Sequence, residues 1–255
     1  MIHGLEHVAL AATSPREALD AYARLLDHPT AVGDASAPRL ETANTDLKFM
    51  ARMADQPEGL AGLAFAVEDL AKTCNLLERR GMRVLEADAD ETGAKALFVA
   101  TDSTHGVPIS LVSRAPRDAS KVAPPGGAAA VSALDHVVIR TPNPERAVAL
   151  YSGRLGLSLR LDRSEPSWGA RLLFFRCGDL VVEVAHDLKA GIGDGNDSLW
   201  GLSWRVGDAS AAQRRLKSAG IEVSDVRTGR RPGSKVFTVR CQTAGVPTIM
   251  IGMDG

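Results

Sequence analysis

The feature that most constrains this chain is a duplication. Leu5-Glu6-His7-Val8-Ala9-Leu10 opens one segment, and Leu134-Asp135-His136-Val137-Val138-Ile139 opens another. His7 and His136 stand 129 positions apart (136 − 7), and Tyr22 and Tyr151 keep that offset (151 − 22). A repeat on this scale is a repeated structural unit, so it sets the organisation before any propensity argument. Later segments repeat as well. Gly62-Leu63-Ala64-Phe65-Ala66-Val67 is answered by Gly201-Leu202-Ser203-Trp204-Arg205-Val206, and Gly106-Val107-Pro108 by Gly245-Val246-Pro247, now at an offset of 139 (201 − 62). The second copy therefore holds ten extra residues (139 − 129), and the Gly-rich run from Gly191 to Asp197 is their expected home, as a loop.

Each copy divides again. In the first, residues 5–11 alternate like a half-buried strand. Ser14-Pro15-Arg16-Glu17 then supplies an N-cap serine, a proline at the first helical position and a glutamate at the third. Strands are expected near 39–43, 46–53, 60–67, 94–100 and 107–112, with a helix over 69–80 closed by Gly81. The second copy repeats the order. It has a strand at 134–140, a helix started by Asn143-Pro144 and running through Val148, Tyr151 and Leu155, and strands near 157–162, 170–176 and 180–185. A strand at 199–206, a helix over 208–219 and strands at 235–240 and 248–252 complete it. The expected class is α+β: four βαβββ modules in two domains, 1–113 and 132–255, joined by a Pro- and Gly-rich linker at 114–131.

The chain has 255 residues, 45% hydrophobic and 24% charged, enough for two ordinary cores. Its net charge of −1 and lack of basic runs argue against a nucleic-acid partner. No stretch has the roughly 18 apolar residues of a membrane span. Three widely spaced cysteines (Cys74, Cys177, Cys241), with no basic and apolar leader, point to reduced thiols and a cytoplasmic setting.

The repeated strand–helix pattern, with Leu134-Asp135-His136-Val137-Val138-Ile139, the Asn143-Pro144 helix, Tyr151 and Leu155-Gly156-Leu157, resembles the vicinal oxygen chelate superfamily of glyoxalases, bleomycin-resistance proteins and extradiol dioxygenases. The resemblance implies a tandem glyoxalase-like fold around a small-molecule pocket. It also implies metal ligands from four strand positions. In the second copy these fall on His136, Glu183, Gly201 and Ile249; in the first, on His7, Met50, Gly62 and Ser110. Pairing early strands of one copy with late strands of the other is a further arrangement the resemblance allows. No pairing supplies three strong ligands, and His136 with Glu183 is the best pair.

Strand alternation places Leu134, His136, Val138 and Arg140 on one face, and turns Val182 and Val184 away from Glu183. The expected site is therefore His136 and Glu183, as an acid/base pair or the remnant of a metal site. Arg140, Ser203, Arg205 and Trp168 are expected to bind the ligand, an anionic or oxygen-rich small organic molecule. No tightly bound cofactor is expected; a labile divalent metal is the alternative. Val137, Val184 and Trp204 would form the apolar backing, Trp200 would pack behind as well, and Gly201 would leave room at the centre. His186 should face opposite to Glu183. The basic segment Arg227 to Lys235 is either a solvated loop or a cationic rim. Turnover by a lyase, isomerase or dioxygenase-like enzyme and metal-free sequestration of a ligand both stay open, as does a homodimer.

Overall fold

The computed structural model describes residues 1–29, 38–86, 95–117 and 127–253. The first half runs β1 (Ile2–Ala12), α1 (Pro15–Leu26), β2 (Arg39–Glu41), β3 (Asp46–Ala51), β4 (Gly59–Val67), α2 (Leu70–Arg79), β5 (Val84–Glu86), β6 (Ala96–Val99) and β7 (Ile109–Ser113). The second runs β8 (Val131–Arg140), α3 (Pro144–Val148) continuing as a π-helical turn (Ala149–Arg154), β9 (Ser158–Glu165), β10 (Ala170–Cys177), β11 (Leu180–Asp187), β12 (Ser198–Val206), α4 (Ala209–Ser218), β13 (Arg227–Thr228), β14 (Ser234–Val239) and β15 (Thr248–Met253). The strands form a seven-stranded sheet ordered β2-β3-β1-β4-β7-β6-β5 and an eight-stranded sheet ordered β13-β14-β15-β12-β8-β11-β10-β9. This is the α+β, glyoxalase-like tandem architecture that the duplication implies.

The helix starts form as their sequences dictate. Ser14 Oγ accepts from Glu17 N, Asn143 Oδ1 from Arg146 N, Asp69 from Lys72 N, and Asp208 from Ser210 N and Ala211 N. Each cap satisfies backbone donors that have no partner inside the helix. Two strands escape the sequence pattern, β5 and β13, which are three and two residues long. At that length no period of two can be read. The helix expected through Leu155 stays α-helical only to Val148.

By proximity the chain forms two compact units, and each draws on both halves of the sequence. Unit 1 comprises residues 1–7, 62–117 and 137–199; unit 2 comprises residues 8–61, 118–136 and 200–255. Residues 118–126 of the expected linker lie outside the described residues. Its beginning and end are tied down: Arg114 Nε lies 3.5 Å from Glu6 Oε1, and Gly127–Ala129 form a short 3-10 turn. In unit 1 the core gathers Tyr151, Phe175, Val182 and Val184, all fully buried. In unit 2 it gathers Tyr22, Phe49, Trp204, Phe237 and Met250, also fully buried. Register aligns Trp204 with Met250 and Phe237 with Met250, so these side chains stand in a row on one face. The same register aligns Arg205 with Ile251 and Val236 on the opposite face. Among the described residues no helix is long and apolar enough to cross a membrane.

Candidate functional site

Unit 2 contains a cavity of about 360 Å³ lined by Ser132, Asp135, Arg205, Arg231, Ile251 and Met253, together with Gly127, Ala128, Val206 and Gly207. That size lies in the usual range of about 300–1,000 Å³ for small-molecule sites. Strand β12 brings Arg205 to it because Trp204, one residue earlier, fills the core on the other face. The wall at Gly207 is a close backbone approach. A Cβ there would stand 3.1 Å from Ala128 Cα, and Asp208 N donates to Ala128 O at 2.9 Å.

The polar centre is Asp135. Its Oδ1 accepts from Arg205 Nε at 2.9 Å, and its Oδ2 lies 2.8 Å from His136 Nδ1. Burial alone would raise the Asp135 carboxyl, but hydrogen bonding and charge from His136, then from Arg205, hold it at about 2. Asp135 is thus an anion throughout the physiological range. The contact to Asp135 favours the His136 tautomer that carries its proton on Nδ1 and its lone pair on Nε2.

Arg231 reaches the cavity from a hairpin. Arg227 pairs with Val236 and Thr228 with Lys235. Arg231 O accepts from Ser234 N at 3.0 Å and Ser234 Oγ at 2.6 Å, and Gly229 N donates to Ser234 O at 2.8 Å. A Cβ on Gly229 would overlap Ser234 Oγ, so the turn requires glycine there. The segment, read as a solvated loop or a cationic rim, is a folded hairpin that brings Arg231 to the cavity wall.

The remaining expected site residues fall in different places. Glu183, Arg140 and Trp168 belong to unit 1, whereas His136, Ser203 and Arg205 belong to unit 2. Ser203 is buried and does not line the cavity. Trp168 lies under Arg163, whose guanidinium carbon is 4.7 Å from its ring centroid. Val137, Val184 and Trp204 are fully buried, as an apolar backing should be, but Trp200 is 36% exposed. Gly201 does not leave room. A Cβ there would sit 2.7 Å from Pro247 O, which accepts from Leu202 N. The glycine permits this strand contact rather than a ligand. His186 is buried, with Nδ1 3.1 Å from Thr141 O, on the side away from Glu183.

Comparison with known proteins bears on the same region. The profile of the Glyoxalase/Bleomycin resistance protein/Dioxygenase superfamily matches residues 135–238. The ethylmalonyl-CoA/methylmalonyl-CoA epimerase of Cereibacter sphaeroides is 31% identical over 100 residues, covering 36% of this chain and 75% of that protein. The chain belongs to this superfamily. Its whole fold is similar to that of superfamily structures: the Mn(II)-bound glyoxalase from Novosphingobium aromaticivorans (TM-score 0.72, 16% identity, 98% of this chain and 82% of that one). A second is the 2,2',3-trihydroxybiphenyl 1,2-dioxygenase from Sphingomonas wittichii (TM-score 0.71, 16% identity, 99% and 91%).

A superfamily metal centre asks for three or four protein donors around one ion. Among the described residues no group of three His, Cys, Asp or Glu side chains is placed to hold one. Gly201 and Ile249 offer no side-chain donor atoms, which leaves His136, through Nε2, without the further ligands of its own copy's late strands. The described residues do not fit a resident metal. What the sequence reading missed is Asp135 itself. The signal was there: an acid precedes the histidine in both copies, as Glu6-His7 and Asp135-His136.

Proposed function

We propose that this chain is a small-molecule enzyme acting on an anionic, oxygen-rich organic compound in the unit 2 cavity, by moving a proton beside a carbonyl group. The observation that carries this reading is Asp135 in the cavity wall, its carboxylate bonded to Arg205 and to the neighbouring His136, which stands next to the wall without lining it. A carboxylate that orients an imidazole and stabilises its protonated form is suited to general acid–base work. The guanidiniums favour a ligand with negative charge. The epimerase relative supports the same class of step, since inverting a stereocentre beside a carbonyl requires a proton to leave one face of a carbon and return to the other. His136 is the group assigned to that proton; Asp135 positions it.

The test is deuterium wash-in. Malonyl-type thioesters, 2-oxo acids and hydroxy ketones are incubated with the protein in D₂O, and exchange at the carbon beside the carbonyl is followed by NMR. Exchange with at least one class is expected, falling by about 10²-fold or more in His136→Gln, the usual scale of acid–base catalysis. No exchange with any class, alongside saturable binding of one of them, would favour the rival reading of a ligand-sequestering protein. The donor set of the described residues favours that rival to the extent that the superfamily's metal chemistry lacks its ligands here.

A further inference from the structure

The two arginines of the cavity are not equivalent. Arg205 Nε is bonded to Asp135, so its charge is largely met by that carboxylate. The Arg231 guanidinium makes no hydrogen bond or ion pair to a described residue, while its backbone is pinned by the Ser234 turn. The turn fixes where the Arg231 side chain starts, so an anion that meets it has only the side-chain rotamers, and not the backbone, to order. Asp135 imposes the opposite demand. Each of its oxygens accepts one hydrogen bond, at 2.9 Å from Arg205 and 2.8 Å from His136, and a carboxylate has lone-pair capacity for more. It can accept from a ligand hydroxyl and repels a ligand carboxylate. Ile251 and Met253 add an apolar wall to the same cavity.

We infer that Arg231 is the anion-recognising residue of this cavity, and that the ligand is a hydroxylated organic anion, with its carboxylate or phosphate at Arg231 and its hydroxyl donating to Asp135. This rests on the proposed unit 2 site and adds its polarity. Arg205 is a positioning residue that holds Asp135.

The experiment titrates the full chain with ω-hydroxyalkanoates, with alkanoates that lack the hydroxyl and with diols that lack the carboxylate, reading amide shifts by NMR. The hydroxyalkanoates should bind tightest, each comparator being weaker by about tenfold or more, the worth of a hydrogen bond to a charged group. Arg231→Gln should erase the preference over diols and leave diol affinity unchanged; Asp135→Asn should erase the preference over alkanoates. Arg231 is exposed, so the first variant should fold normally. A carboxylate preference that survives Arg231→Gln but vanishes in Arg205→Ala would overturn the assignment to Arg231 and leave the anion-binding cavity standing. Alkanoates binding as well as hydroxyalkanoates would overturn the hydroxyl. If no probe shifts an amide of the cavity, both the polarity and the site itself fall. Ω-Phosphorylated alcohols in the same series decide between carboxylate and phosphate by their relative affinity at Arg231.

Discussion

The same acid–histidine pair is built twice in this molecule, with opposite results. His7 and His136 are equally covered, each side chain 14% exposed, and each has Nδ1 against the preceding acid. The acids differ: the Glu6 side chain is 2% exposed and the Asp135 side chain 28%. In unit 1 the guanidiniums of Arg114 and Arg117 close over Glu6, at 3.5 and 4.0 Å. In unit 2 Arg205 holds Asp135 from one side and a cavity opens beside it. One copy is a buried ionic cluster of the frame; the other opens its carboxylate to a cavity. A repeated motif thus diverges through the residues around it, not through the histidine.

The largest expected effect separates the two carboxylates. Removing both cations over Glu6, in Arg114→Ala/Arg117→Ala, strips two guanidiniums from a buried acid that keeps its contact with His7, and should cost about 3 kcal/mol in chemical denaturation. Arg205→Ala leaves the more exposed Asp135 to water and should cost no more than about 1 kcal/mol. Equal losses would mean that the two clusters are the same in kind.

Next comes acid stability. Asp135 is held at about 2 in the folded state against an ordinary value of 3.8. A depressed carboxyl contributes stability that is complete above its unfolded value and disappears as pH falls through the folded one. The contribution is about 2 kcal/mol, lost between about pH 4 and pH 2. Asp135→Asn should flatten that part of the stability–pH profile. An unchanged slope in the variant would remove the ion-pair description of Asp135.

The smallest expected contrast is between the equivalent tyrosines. Tyr22 OH donates to Thr243 O at 3.0 Å, while Tyr151 OH has no hydrogen-bond partner among the described residues although it is fully buried. Tyr22→Phe should therefore cost about 1 kcal/mol, and Tyr151→Phe should be neutral or slightly stabilising. Thermal unfolding of the two variants checks this. The reverse order would show that the π-turn at Ala149–Arg154 serves the Tyr151 hydroxyl.

The frame was legible because it is written in periodic signals. Pro15, Pro144, Asp69 and Asp208 mark helix starts, and the alternation in β8, β11 and β12 separates Val137, Val184 and Trp204 from the polar faces. The site was only partly legible. His136 and Arg205 are found from their strand positions, but Asp135 sits one residue off the expected face and joins them through its side chain, which alternation does not foresee. Gly201 was misread because a glycine in a strand signals either space or a close backbone approach, and here Pro247 O takes the space. Asp197 shows the same limit. It comes from the Gly191-to-Asp197 insertion, read as a loop, yet its carboxylate is buried against Thr141 Oγ1 at 2.7 Å and Arg146 at 2.8 Å. Such pairing depends on tertiary placement that no local pattern encodes.

The central claim is that the unit 2 copy carries the chemistry and the unit 1 copy the frame. Its most direct test compares His7→Gln with His136→Gln in the deuterium wash-in assay, on a compound that the unaltered protein exchanges, with circular dichroism confirming that both variants are folded. The account predicts that His7→Gln keeps its exchange rate within about threefold, while His136→Gln loses about a hundredfold or more. Equal losses in the two variants, or a larger loss from His7→Gln, would contradict it.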